Sequence, residues 1–503
     1  MPGSPRTLLR QLLGILACAL ASLVSAAQDG TQNALQIELV SRDARLIDVT
    51  VAAGHVGTIE LSLSNESVSL RLGPGEPPVR LRLDPGGTIR ASAAGEGRFD
   101  TGWFDPFAEL VGDPAAEETP EWALGAVWYN VFPERFENGN PLNDQGWPYG
   151  TDIPWDQPWF ESSADEFEAS ANRAIASPRR YADSFSRGRP PLREGVFERR
   201  FGGDLQGVER RLGHIRDLGA TVIWFCPIFE STSLHKYDAG DYRHIDPHLA
   251  HPRSPSGDRS LFSDDPDDWE WTPADRYFVD RFLPAAREKG LRIVLDGVWN
   301  HVGLTHPTFV DALKRGPASP YFGWYDITAD RSGRPASWRA WDRRNGALPE
   351  FHQANGDLHP GVRSHVFDVT KRWMDPDGDG DPADGIDGWR LDVANEIGMR
   401  FWADWRSLVR SINPGSVLVG ELWFDGADYF EGRAFDSQMN YPLAFALTSW
   451  LGGQPAFSDA DLVAAFDRVL SHAPATDMAQ VNLLGSHDTA RFITMLDYPS
   501  PDY

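Results

Sequence analysis

From about residue 126 onward the chain repeats one pattern: an apolar run of strand length, then an amphipathic run of helix length. Thr221–Phe229 reads TVIWFCPIF and Leu291–Trp299 reads LRIVLDGVW, with helical spacing in Val208–Leu218 and Asp275–Lys289. Strands apolar on both faces must be covered on both faces, and a parallel sheet wrapped by helices does that. Ala126–Phe132, Asp384–Val393, Ser416–Trp423 and Gln480–Asp488 extend the series, with Phe435–Tyr441 a weaker member. Strand–helix repeats in this number imply an α/β fold, a (β/α)8 TIM barrel. The stretch 303–364 is too long for an ordinary connection and reads as a subdomain inserted after the third strand.

Residues 28–114 follow a different rule. LQIELV, LIDVTVAA, TIELSLS and VRLRL alternate and are broken by Gly- and Pro-rich turns, as in a small β-sandwich. An acidic, Pro-containing linker, 112–120, separates this accessory domain from the barrel domain at 121–503. Residues 1–26 read as a signal peptide: Arg6 and Arg10, then the apolar run Leu12–Val24, then the small residues of Val24-Ser25-Ala26. That run is too short for a comfortable membrane span and implies a secreted or periplasmic protein. Cys18 lies inside the run, so Cys226 alone remains after cleavage and no internal disulfide is expected.

A net charge of −26 excludes a phosphate-backbone partner, which needs clustered Lys and Arg, so no nucleic acid is expected. The 19 Trp are mostly core, although flat apolar indole faces also suit a sugar. Polar residues gather at the strand ends: Asp296, Asn300 and His301 on the third, Arg390 and Asp392 on the fourth, Glu421 on the fifth, His487 and Asp488 on the seventh. In a barrel these ends converge on one face. Arg390 and Asp392, two apart, share a strand face, and a guanidinium beside a carboxylate favours its ionised form. Acids on three strands are hard to explain as structure, and two acids about one bond suffice for glycoside hydrolysis. A zinc site at His301 and His487 lacks any supporting HExxH or Cys/His spacing.

DGVWNH, GWRLDVANE, GELW and GSHD occur in that order and resemble the four conserved regions of the α-amylase family, glycoside hydrolase family 13. WYNVFPERFENGNP, FGGDLQG, HKYDAGDY and FDSQMNYP are similar to its neopullulanase, cyclomaltodextrinase and maltogenic amylase branch. The resemblance runs from about Trp122 to Phe492 and implies action on α-1,4 bonds of maltodextrins, cyclodextrins or pullulan. By it, Asp392 is the nucleophile, Glu421 the acid/base and Asp488 a transition-state stabiliser. Arg390 orients Asp392, His301 and His487 bind substrate hydroxyls, Tyr237 underlies the sugar, and Trp423 lies on the acceptor side. Asp296 supports the site from behind. A glucanotransferase and a non-catalytic glucan-binding protein are the alternatives. No oligomeric state is legible.

The resemblance also implies structural Ca²⁺ at Asn138, Asn140, Asn143, Asp144, Gly202 and Asp204, an oxygen-only set; a plain Asn/Gly/Asp turn is the alternative. A second Ca²⁺ candidate is DPDGDGD, with Asp375, Asp377, Asp379 and Asp381; its twelfth position is Ile386 rather than Glu, which leaves a solvated acidic turn open. Two further expectations concern strand order and charge. The chain ends at Tyr503, so the eighth strand is expected to be missing. Asp392, beside Arg390, should be ionised, and Glu421, flanked by Leu422 and Trp423, should hold a proton.

Overall fold

The computed structural model describes the strand backbones within 35–100, and residues 119–144, 151–157, 199–250, 262–343, 346–430, 432–452 and 457–497. The leader expected at 1–26 and the linker to residue 118 lie outside the described residues. The chain divides into two units, Met1–Glu117 and Glu118–Tyr503. The first holds two antiparallel sheets, one of three strands and one of four.

The second unit is built on six parallel strands, neighbours in chain order: Trp128–Val131, Val222–Phe225, Arg292–Gly297, Gly388–Leu391, Val417–Gly420 and Ser437–Gln438. Alternation sorts their side chains. Val222, Trp224, Val294, Val417 and Val419 join Met439, Tyr441 and Val481 in one buried cluster. Ile223, Phe225, Ile293, Leu295, Trp389, Leu391 and Leu418 face the other way, into the larger cluster shared with the helices. Trp299, Trp389, Trp402 and Trp405 are fully buried there, so these indoles are packing, not sugar platforms.

The helices follow the expected positions: Leu205–Asp217 after the first strand, a helical run from Pro273 to Glu288 after the second, Pro360–Met374 after the third, and Met399–Ile412 after the fourth. The run after the second strand opens on a Thr272–Asp275 capping box, which satisfies two orphan end donors, and passes through a π segment at Phe278–Phe282. The insertion carries helix Pro307–Arg315 and two small hairpins, Ile327–Ala329 with Pro335–Trp338 and Gln353–Ala354 with Asp357–Leu358.

Two expectations change. Phe435–Tyr441 contributes only the two-residue strand Ser437–Gln438. Gln480–Asp488 forms no strand: its link to the sheet is a single parallel bridge, Met439 with Val481. The apolar run is real, but a strand needs ladder partners. An open groove of about 1200 Å³ is lined by this segment on one side and by Gly125–Asn130, which lead into the first strand, on the other.

Register is locked away from the site. Asp436, fully buried, accepts from Leu418 N–H at 2.8 Å and from Arg406 and Arg410 at 2.9 and 2.6 Å. Removing one partner of a buried ion pair leaves uncompensated charge. Asp436→Ala should therefore lower unfolding free energy by about 3–5 kcal/mol, measured by urea titration of the intact chain. A loss below about 1 kcal/mol, the range of exposed pairs, would contradict this.

Candidate active site

Strand parity selects the site. Trp224, Asp296, Arg390, Asp392, Val419 and Glu421 stand at barrel-facing positions of the second to fifth strands and their ends, in phase with the interior cluster. Asp296 pairs in register with Arg390, one residue past Leu391 comes Asp392, and one past its partner Gly420 comes Glu421. The ladder continues through both acids: Glu421 N–H donates to Leu391 O at 2.9 Å, and Asp392 N–H to Gly297 O at 3.1 Å.

Arg390 sits at the centre. Its Nη1 donates to Asp296 at 2.8 and 2.9 Å and to Asp392 Oδ1 at 3.0 Å. Its Nη2 lies 2.8 Å from Glu421 Oε2, an ion pair off the hydrogen-bond axis. Its guanidinium carbon is 5.2 Å from the centre of the Trp224 ring. Burial opposes the guanidinium's charge, but Asp296, Glu421 and Asp392 together hold it firmly protonated.

One cation cannot neutralise three buried carboxylates, so the acids part company. Burial, then the Glu421 charge, pushes Asp392 far above the usual carboxylate range. Burial also lifts Asp296 to about 6 and, with the Glu421 charge, Asp488 to about 6. Glu421 moves the other way. Burial would raise it, but Arg390, the Val393 amide and the Trp423 indole outweigh that. Val393 N–H donates to Oε2 at 2.8 Å and Trp423 Nε1–H to Oε1 at 3.1 Å. The expected polarity is thus reversed in this ligand-free arrangement. Asp392 is the acid pushed up and Glu421 the acid pulled down, by Arg390 first, then by the Val393 amide and by Trp423, which presents its N–H edge rather than its apolar face.

Tyr237 and His487 close the other side. Tyr237 O–H donates to Asp296 Oδ2 at 2.9 Å, so the proton between its oxygen and His487 Nε2, also 2.9 Å, belongs to the imidazole. The rings stack at 5.5 Å and 18°. That tautomer leaves His487 Nδ1 as acceptor toward the Cys226 thiol, 3.8 Å away. Burial holds both His487 and His301 down near 4, so both are neutral at neutral pH. Asp488 Oδ2 is 3.3 Å from His487 Nε2 and its side chain is 37 % exposed. His301 contacts Asn300 at 3.2 Å through Nδ1, and its buried Nε2 has no partner. Trp423, 38 % exposed, stacks on Tyr441 at 4.0 Å. Cys226, noted only as the remaining cysteine, and Val393, inside GWRLDVANE, were given no role from the sequence.

The two cation candidates change membership. Asp204 is saturated as a helix cap, taking N–H groups of Gly139, Asn140 and Gly207 and the Asn143 amide at 2.6–3.1 Å. Asn140 Oδ1 accepts from Leu142. The oxygens left buried and unpartnered are Asn138 Oδ1, Asn143 Oδ1 and Asp144 Oδ1. Gly202, at φ +76°, lies against two of these, and a Cβ there would collide with Asp144 and Asn138. These oxygens fit a hard cation. In the acidic loop, carboxylate oxygens of Asp375, Asp377 and Asp384 lie within 4.8 Å of one another. Asp375, Asp377, Asp379 and Asp381 all accept backbone N–H groups of the loop, but Asp379 and Asp381 lie outside the cluster. Asp384 was missed because only closure of the loop brings it round.

The profile of the alpha amylase catalytic domain matches residues 130–251 and 275–500. Neopullulanase 2 of Thermoactinomyces vulgaris is 36% identical over 385 residues, covering 75% of this chain and 52% of that protein. A cyclomaltodextrinase of Bacillus sp. is 31% identical, covering 76% of this chain and 55% of that one. The chain thus spans about half the length of these curated relatives. Among solved structures, the ligand-free cyclic α-maltosyl-(1→6)-maltose hydrolase of Arthrobacter globiformis superposes with a TM-score of 0.55 at 28% identity, over 76% of this chain and 70% of that one. The type III pullulan hydrolase of Thermococcus kodakarensis, 22% identical, shares the fold at a TM-score of 0.56 over 92% and 72%. With the ordered motifs, the barrel and the acid cluster in agreement, the chain belongs to the α-amylase family, alongside its neopullulanases, cyclomaltodextrinases and maltogenic amylases.

Proposed function

We propose that this protein is an exported, retaining α-glucan hydrolase that cleaves α-1,4-glucosidic bonds of maltodextrins, cyclodextrins or pullulan. The observation that carries the reading is the pairing of Asp392 and Glu421: they end neighbouring parallel strands at one register step and meet the two terminal nitrogens of one guanidinium. Acids this close suit direct attack, for which about 5–5.5 Å is typical, rather than the wider gap that admits a water. The names of the relatives, neopullulanase and cyclomaltodextrinase, support the substrate class. Export rests on residues 1–26 alone.

Asp392 attacks the anomeric carbon as its bond to the glycosidic oxygen breaks, and Glu421 gives that oxygen its proton. Water then attacks the glycosyl ester while Glu421 takes a proton back. Asp488, the most exposed of the acids, and neutral His301 and His487 bind sugar hydroxyls. Chemistry needs Asp392 ionised and Glu421 protonated, the reverse of the directions in which burial and neighbouring groups push them, so bound substrate has to alter that balance. Asp392→Asn should cut turnover on the order of 10⁴-fold or more, the scale of losing an activated nucleophile. NMR of early hydrolysis should show the α-anomer first. Release of the β-anomer, or near-normal rates in the variant, rules the assignment out.

Calcium would be held by Asn138, Asn143 and Asp144, remote in sequence from the acids, and in the acidic loop by Asp375, Asp377 and Asp384, which precede the strand whose far end bears Asp392, in both places as a structural ion. A ligand that binds only the folded state stabilises it by mass action. Chelation should lower the melting temperature by several degrees, about 1–3 kcal/mol at ordinary saturation. Superimposable melting curves with and without chelator would remove both sites.

A further inference from the structure

Val393 has φ +41° and ψ +46°, the left-handed region. Among the described residues only Lys236 and Asn355 share positive φ without being glycine, and neither is β-branched. A branched Cβ crowds the backbone there, which is why glycine is the usual occupant. The chain on either side explains why Val393 stays. Asp392 is fixed to Gly297 by the ladder. Ala394 is fully buried, and its carbonyl accepts from Trp402 Nε1 at 2.9 Å. Glu396 N–H closes the following turn on Val393 O at 2.8 Å. With both flanks held, the peptide between Asp392 and Val393 can point its N–H only one way, at Glu421 Oε2, 2.8 Å off. Arg390 lies equally near that oxygen but off axis, so the Val393 amide is its aligned donor.

We propose that Val393 is a positioning residue: its strained backbone is kept so that its amide, next in chain to one acid, fixes the direction and charge of the other. The inference rests on the acid/base role given to Glu421 above. A donor to the charged form of a carboxylate favours that form. The amide therefore holds down the pH above which Glu421 loses its catalytic proton. The other groups around Glu421 are the Trp423 indole N–H, Arg390, Asp392, Asp296, His301, His487, Asp488 and the Tyr441 hydroxyl. All are left in place by a change confined to one N–H.

The test replaces Val393 by α-hydroxyisovaleric acid through nonsense suppression in the full chain, turning that amide into an ester and keeping the side chain. The alkaline limb of kcat/KM should move up by about one pH unit, the scale of one hydrogen bond to a charged group. Val393→Gly, which keeps the N–H and relieves the Cβ, should leave the limb where it is. An unmoved limb in the ester variant, or the same shift in the glycine variant, overturns the proposal. If the wild type cleaves no α-glucan, the functional reading fails by itself. The positioning role is then decided by ¹³C NMR titration of the Glu421 carboxyl, which should show the same upward shift in the ester variant; no shift refutes it.

Discussion

One guanidinium holds three buried carboxylates, and most of what is particular about this barrel follows from that shortage of positive charge. Arg390 reaches Asp296, Asp392 and Glu421 at 2.8–3.0 Å. Because a single cation cannot charge-balance three acids out of water, a proton must reside among them. Neutral donors add to Arg390 in setting the acids apart: Glu421 has two, the Val393 amide and the Trp423 indole, whereas among the described residues Asp392 has only the Arg390 guanidinium. The four side chains form one electrostatic unit, so substitutions within it will not act independently.

The barrel and its acids were legible because they obey simple periodicity. Strand runs apolar on both faces declare a covered sheet, and side chains two apart, as Arg390 and Asp392 are, must share a face. What depends on orientation about a single bond was not legible. Leu422 and Trp423 beside Glu421 suggested an apolar wall, yet an indole has a polar edge, and its stacking on Tyr441 directs that edge at the acid. Closure of loops was equally hidden: Asp384 joins Asp375 and Asp377 only after the chain turns at Pro382. The run Gln480–Asp488 has strand composition, but composition cannot supply a ladder partner.

A second device, absent from any motif, keeps the register that the acids need. Asp387 and Asp436 each precede a parallel strand and each exchanges hydrogen bonds at 2.8 Å with the strand before it, through Ile293 and Leu418. Each carboxylate also receives arginine, Arg292 on one and Arg406 and Arg410 on the other. Slipping one step would strand these charges at the base of the barrel as well as misplace Asp296 against Arg390. The functional end is thus held in phase from the opposite end.

The strand order sets a gradient of connection across the site. Arg390 and its acids occupy the middle of the six-strand order, with paired neighbours on both sides. His487 and Asp488 follow a segment tied to the sheet by one bridge at Val481. Local opening draws on the least-connected structure first. Amide exchange will therefore begin at this seam, and His487 and Asp488 will come away while the arginine cluster is still intact.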